Sequence, residues 1–289
     1  MTLSEINKLV EPKRLEGSEG IRLAADHFGD PSAPPALLFH GGGQTRHSWS
    51  GTAQHLAEAG WYAITVDLRG HGESDWDPTG DYRIEVFRND VIAIARSFEE
   101  PPVMIGASLG GIASLLAIHE AGNQLARALV LVDIATRMEA SGTARIIEFM
   151  RGGLDGFASL EEVADAVAAY NPHRPRPKNI SGLEKNLRKG DDGRYRWHWD
   201  PNFLKMGAEA SDQFITPTFL DQAAASLKIP TLLVRGKVSD LLSEKGAKLF
   251  LEQVPHAEFA DVSGAGHMVA GDQNDVFSRA VLEFLERTR

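Results

Sequence analysis

The 289-residue chain contains no cysteine, which excludes a disulfide framework and any thiolate metal site. It also lacks long apolar runs. The opening stretch MTLSEINKLVEPKRLEGSEG has no segment of signal-peptide type, and no window approaches the length of a membrane span. Basic residues are outnumbered, 30 against 40 acidic, and the formal net charge of −10 offers no basic face for nucleic acid or an anionic membrane. The ten histidines show no HxH or HExxH spacing, so no metal is expected. No Lys-Ser/Thr follows the glycine run at Gly41–Gly43, and no G-x-G-x-x-G stands in a dinucleotide-binding context. The expectation is a cytoplasmic protein with a small-molecule ligand, no cofactor, and no nucleic-acid or membrane partner. The sequence does not specify an oligomeric state.

What is present is an alternation of short apolar runs with helical patterns, the signature of an α/β chain with a mostly parallel central sheet and flanking helices. Strands are predicted at Ile21–Phe28, Ala36–His40, Ala63–Asp67, Val103–Ala107, Ala128–Asp133, Thr231–Arg235 and Ala257–Val262. Helices are predicted near Trp49–Ala59, Ile84–Ser97, Leu109–Glu120, Glu244–Gln253 and Gln273–Glu286. The rhythm breaks once, between two late strands. Residues 135–226 read as a helical cap insertion, leaving 1–134 and 227–289 as the core. Open α/β sheets bind ligands at the carboxyl edge of their strands, and a cap there would cover that edge.

The segment VMIGASLGGIAS, Val103–Ser114, passes from an apolar strand into small residues with no polar turn between. A strand that becomes a helix at once forces its central residue, Ser108, into a strained conformation. Gly106, Gly110 and Gly111 supply the space that such a turn needs. The serine hydroxyl is thereby lifted out of the sheet beside the amides of a helix start.

A serine nucleophile needs a base, an acid to orient that base, and donors for the developing oxyanion. In SGAGHMVAGDQ, His267 lies in a glycine loop after the last strand, and in LLVRGKVSDLLS, Asp240 follows a strand end. The order Ser108, Asp240, His267 is one of the known triad orders. Asp133, which closes ALVLVD, is the alternative acid. Leu109 supplies one oxyanion amide as the residue after the serine. FHGGGQTRHSW supplies the other from Gly42, with Gly43 as the alternative.

On HGGG, DLRGHGES (Asp67–Ser74), GASLGG, GKVSD and GAGH, the chain resembles the α/β-hydrolase fold superfamily over nearly its whole length. The resemblance implies a capped serine hydrolase of the esterase, perhydrolase or carbon–carbon hydrolase branch. Ser108 excludes the branches whose nucleophile is aspartate. DLRGHGES is similar to a strand-to-loop signature of the family that supports the site backbone, which makes His71 structural. The expected reaction is cleavage of a small, mostly uncharged ester or lactone through an acyl-enzyme. The alternatives are hydrolysis of a carbon–carbon bond in a ring-fission product, cofactor-free perhydrolysis, or a non-catalytic ligand receptor. Candidate pocket residues are Gly43, His47 and Trp49 beside the oxyanion loop, with Trp197 and Trp199 from RYRWHWDPNFL. Trp197 and Trp199 either line an apolar pocket or fasten the insertion to the core.

Overall fold

The computed structural model describes residues 11–170, 176, 180–205, 216–267 and 274–288. Its centre is an eight-stranded sheet built from β1 (Glu11–Glu16), β2 (Arg22–Phe28), β3 (Pro35–Phe39), β4 (Tyr62–Val66), β5 (Val103–Ala107), β6 (Ala128–Val132), β9 (Thr231–Gly236) and β10 (Glu258–Val262). The spatial order is β1-β2-β4-β3-β5-β6-β9-β10. β2 runs antiparallel to β1 and β4, and every other pairing is parallel. β1 is absent from the sequence expectation because EPKRLE has no apolar alternation. It joins the edge through backbone pairing with β2, from Glu11 opposite His27 to Glu16 opposite Arg22.

Strand periodicity of two sends alternate residues to opposite faces. Leu37, Phe39, Ile64, Met104, Leu129, Leu131 and Leu233 bury one face against α2 (Ile84–Arg96), α3 (Leu109–Ala121), α6 (Pro217–Ala225) and α7 (Glu244–Gln253). Ala36, Leu38, Ala63, Ile105, Val130, Val132 and Val234 bury the other, against α1 (Ser50–Glu58) and α8 (Asn274–Arg287). Among the described residues, no helix is long and apolar enough to cross a membrane.

Register aligns the carboxyl ends of the strands. Phe39 pairs with Gly106 and Val66, Ala107 with Val132, Val132 with Val234, and Gly236 with Val262. The loops carrying Gly41–Gly43, Asp67–Ser74, Ser108, Asp133, Asp240 and His267 therefore leave the sheet along one edge.

Between β6 and β9 the chain forms α4 (Ala140–Arg151), α5 (Leu160–Tyr170), α6, and a short hairpin of β7 (Leu187–Lys189) and β8 (Tyr195–Trp197). The insertion is thus not the purely helical cap that the sequence suggested. Alternating RYRW pairs with LRK through only three residues a side, too short a pattern to stand out. The insertion has its own apolar cluster of Met150, Val163, Trp197 and Trp199, with Phe149, Phe157 and Phe203 packed on it.

Candidate active site

Ser108 has φ 45° and ψ −114°, a conformation that side-chain-bearing residues avoid and that persists only where the surroundings enforce it. The enforcement is local. The Ser108 amide donates to the Val132 carbonyl at 3.3 Å, the Gly110 amide to the His40 carbonyl at 3.1 Å, and the Ile112 amide back to the Ser108 carbonyl at 2.9 Å. A Cβ at Gly106 would lie 2.5 Å from the Gly110 oxygen, and one at Gly110 would lie 2.5 Å from the Phe39 oxygen. At Gly111 it would lie 2.5 Å from Ile134 Cγ2. Backbone oxygens crowd all three positions, that of Gly106 lying 2.8 Å from the Gly111 site, so no side chain fits without opening the elbow. Gly41 packs 3.1 Å from the Ser108 side chain on the same measure, bringing the HGGG turn against the serine.

The acid that meets the histidine is Asp133. His267 Nδ1 donates to Asp133 Oδ2 at 2.7 Å, with Asp133 wholly buried and the His267 side chain 11% exposed. Asp133 sits one residue past β6, also at positive φ, 51°. It accepts two further bonds, from Ser239 Oγ at 2.5 Å and the Gly236 amide at 3.1 Å. Buried carboxylates need such partners. The bonds also leave Nδ1–H as the donor, so in the neutral ring Nε2 is the acceptor.

Asp240 takes no part in this contact, which corrects the preferred reading of GKVSD. Its carboxylate, 41% exposed, pairs with Arg145 of α4 at 2.6 Å. α4 lies so close that a Cβ on Gly142 would run into the Asp240 carbonyl oxygen. The motif contributes Ser239 instead, whose hydroxyl anchors Asp133 and accepts from the Leu241 and Leu242 amides at 3.1 and 3.3 Å. Sequence reasoning missed Ser239. The available signal was a hydroxyl directly before the acid at that strand end.

The HGGG turn separates its three amides. Gly41 N–H donates to Gln44 Oε1 at 3.3 Å and Gly43 N–H to His71 Nε2 at 3.1 Å. Among the described residues no hydrogen bond involves the Gly42 amide, and Gly43, the alternative donor, is committed to His71. Gly43 has φ +74° and packs on Met150, while Gly42 faces Phe203. Leu109 N–H lies at the first residue of α3, where helix amides have no partner within the helix.

Two of the proposed pocket residues lie elsewhere. Trp49 is 1% exposed and packs in the core under β3 against Phe277, with ring centroids 5.8 Å apart. The turn at Arg46–Trp49 directs it onto the sheet face. His47 leans on Asp26 of β2 at 3.5 Å. Trp197 and Trp199 stack at 5.0 Å and 14°, and Trp197 Nε1 donates to the Gly152 carbonyl at 2.7 Å. Both are buried in the insertion's own cluster, whose members all lie between residues 146 and 204, so they hold the insertion together.

DLRGHGES builds the frame. Asp67 binds Arg46 through its amide at 2.6 Å and its guanidinium at 2.5 Å. Arg69, wholly buried, bonds both Asp90 oxygens and Asp77 at 2.7 Å each. Three buried imidazoles, His40, His71 and His198, stand side by side, at 5.2 and 5.8 Å between centroids. Each accepts a backbone N–H on one nitrogen: Leu68 to His40 Nε2, Gly43 to His71 Nε2, Gly72 to His198 Nδ1. All three rings are neutral in this arrangement. Burial holds His40 at about 4 and His71 at about 3, and places His198 well below its ordinary value.

These shifts make stability acid-sensitive. An unfolded histidine titrates near 6.5, so below that pH the unfolded chain binds protons that the folded rings refuse. Stability is complete above about 6.5 and falls as pH drops toward 4, each ring contributing up to about 1.4 kcal/mol per pH unit. Urea unfolding at pH 7, 6 and 5 should show midpoints moving steadily lower with an unchanged denaturant slope. A midpoint constant over that range would place the rings' protons differently.

Among the described residues, no group of three or more His, Asp or Glu gathers where it could hold a metal ion. The strained serine elbow and the histidine–carboxylate contact at one edge of this sheet define a class. Residues 34–272 match the alpha/beta hydrolase fold family, and the chain belongs to it as a hydrolase. It is 29% identical over 262 residues to Esterase Rv0045c of Mycobacterium tuberculosis, covering 88% of this chain and 82% of that protein. It is 26% identical over 264 residues to the 3-hydroxybutyrate-oligomer hydrolase of Cupriavidus necator, covering 85% and 87%. The structure of E-2-(acetamidomethylene)succinate hydrolase shares the fold, with a TM-score of 0.82 at 23% identity over 96% of this chain and 99% of that one.

Proposed function

We propose that the protein is a serine hydrolase that cleaves a small, mostly uncharged carboxylic ester or lactone through an acyl-enzyme on Ser108. The observation that carries this reading is the 2.7 Å contact from His267 to buried Asp133, which directly follows β6, the strand paired with the one that ends at the strained serine. His267 Nε2 takes the Ser108 proton as Oγ attacks the substrate carbonyl. Asp133 holds the tautomer and stabilises the imidazolium. The developing oxyanion is received by the amides of Leu109 and Gly42. The protonated histidine then gives its proton to the leaving alcohol. Water, deprotonated by the same nitrogen, attacks the acyl carbonyl and releases the acid.

The insertion acts as a cap over this edge. Met150 and Phe203 stand against Gly43 and Gly42, which favours an apolar group beside the scissile carbonyl. An esterase and a 3-hydroxybutyrate-oligomer hydrolase among the relatives favour ester over carbon–carbon chemistry. The lack of cysteine suits work in a reducing cytoplasm.

The test is covalent. A fluorophosphonate probe should label Ser108 in the wild type, labelling should vanish in Ser108→Ala, and p-nitrophenyl esters of short acids should be turned over. Labelling at another serine would overturn the assignment. Labelling at Ser108 with turnover only of a dienoate ring-fission product would move the function to carbon–carbon hydrolysis. Peracid formation with peroxide in preference to hydrolysis would make it a perhydrolase.

A further inference from the structure

The buried histidine row lies outside the proton-transfer chemistry and joins the insertion to the oxyanion turn. The segment Gly70-His71-Gly72 is held from the insertion at both ends. The Asp200 amide donates to the Gly70 carbonyl at 2.8 Å, His198 Nδ1 accepts the Gly72 N–H at 2.6 Å, and Arg188 Nη2 donates to the Gly72 carbonyl at 2.8 Å. His71, between them, donates from Nδ1 to the Arg69 carbonyl at 3.0 Å and accepts the Gly43 N–H on Nε2. Phe203 meets its ring edge-on at 5.0 Å. His198 Nε2 is buried without a formed hydrogen bond, and the nearby Gly43 backbone only partly offsets its burial. The ring is held by its bond to Gly72 and by packing against His71 and, edge-on at 5.2 Å, Trp199.

We propose that His198 and His71 are positioning residues that transmit the seating of the β7–β8 hairpin to the Gly42 amide. Gly43 N–H belongs to the Gly42–Gly43 peptide, so its bond to His71 fixes the peptide that follows the donor. The Gly41–Gly42 peptide, which carries Gly42 N–H, is held at the Gly41 carbonyl by Gln44 N–H at 3.1 Å and His40 Nδ1 at 2.7 Å. The Gln44 bond to Gly41 fixes the turn from the other side. An insertion displaced from Gly70–Gly72 turns His71 and frees the Gly42–Gly43 peptide. That loosens the turn on the far side of Gly42 and lets its N–H drift from the aim that the Gly41 carbonyl bonds alone set less tightly. The insertion thus controls the transition-state contact as well as substrate access. The inference rests on the hydrolase reading above and on Gly42 as a donor.

The test compares three replacements of His198 after fluorophosphonate labelling of the wild type at Ser108 has established the nucleophile. Asn places an amide oxygen where Nδ1 stands, Gln offsets it by one bond, and Leu removes it. With p-nitrophenyl butyrate, His198→Leu and His198→Gln should lose about 10- to 100-fold in kcat with KM within about threefold, while His198→Asn stays within about threefold of wild type. Affinity for a trifluoromethyl ketone, whose adduct carries the oxyanion, should fall in proportion to kcat/KM. Unchanged kcat in the folded Leu variant, or equal losses in all three that follow melting temperature, would overturn the proposal. If the Leu variant fails to fold, equal kcat in the Asn and Gln variants does so. A wild type neither labelled nor active would instead remove the hydrolase reading itself.

Discussion

Asp133→Asn is expected to reduce ester turnover by about four orders of magnitude, the loss seen when the orienting aspartate of a well-studied serine protease becomes asparagine. Asp240→Asn should change it by less than about threefold. The asymmetry follows from the hydrogen bonds. Asp133 Oδ2 receives both His267 Nδ1–H and the Ser239 hydroxyl, while Oδ1 receives the Gly236 amide. An asparagine has one acceptor oxygen for these three donors. If its oxygen stays with Gly236, its NH2 faces His267 and stabilises the tautomer with the proton on Nε2, which cannot accept from serine. The orphaned donors in the buried site also cost about 1–3 kcal/mol of stability. Asp240→Asn removes only an ion pair with Arg145 in which both side chains are about two-fifths exposed, worth about 0–1 kcal/mol. Steady-state kinetics and urea unfolding of both variants check this. A larger kinetic loss in Asp240→Asn would move the orienting acid to the later strand.

These two aspartates show where sequence stops being legible. Both follow apolar strands that end at the same edge, and period-two patterning together with chain order locates both. The pattern carries no information about which carboxylate turns inward. That is decided by the positive φ of Asp133 and by α4 pressing on the Asp240 backbone and offering Arg145. Trp49 and His47 are similar cases. Their loop beside HGGG was evident, but one 3-10 turn sends Trp49 into the core and His47 toward Asp26. Motifs dominated by glycine were read most directly. At Gly106, Gly110 and Gly111 the absent side chain is itself the structural requirement, and backbone or Ile134 atoms occupy the space. β1 lay below detection because EPKRLE is stabilised by its partner strand and not by an apolar face.

Gly236→Ala is expected to lose about 100-fold in turnover by moving His267 without touching it. Gly236 ends β9 opposite Val262, and its conformation is not among the positive-φ glycines, so alanine fits the backbone angles. Space is the obstacle. A Cβ there would run into the Gly266 carbonyl oxygen and stand 2.7 Å from that of Ala265. Both belong to the loop that delivers His267 in the next position. Because backbone cannot rotate aside as a side chain can, the loop must shift, by about 1 Å, and a misplacement of that size costs about 100-fold when reacting groups must stay aligned. Overpacking of this kind lowers stability by about 1–3 kcal/mol. Gly182→Ala, where nothing lies within 4 Å of the new methyl, is the control and should leave kinetics and stability as in the wild type. Wild-type turnover in Gly236→Ala would mean that the histidine loop relocates freely. The Asp133 contact alone would then suffice to hold the imidazole.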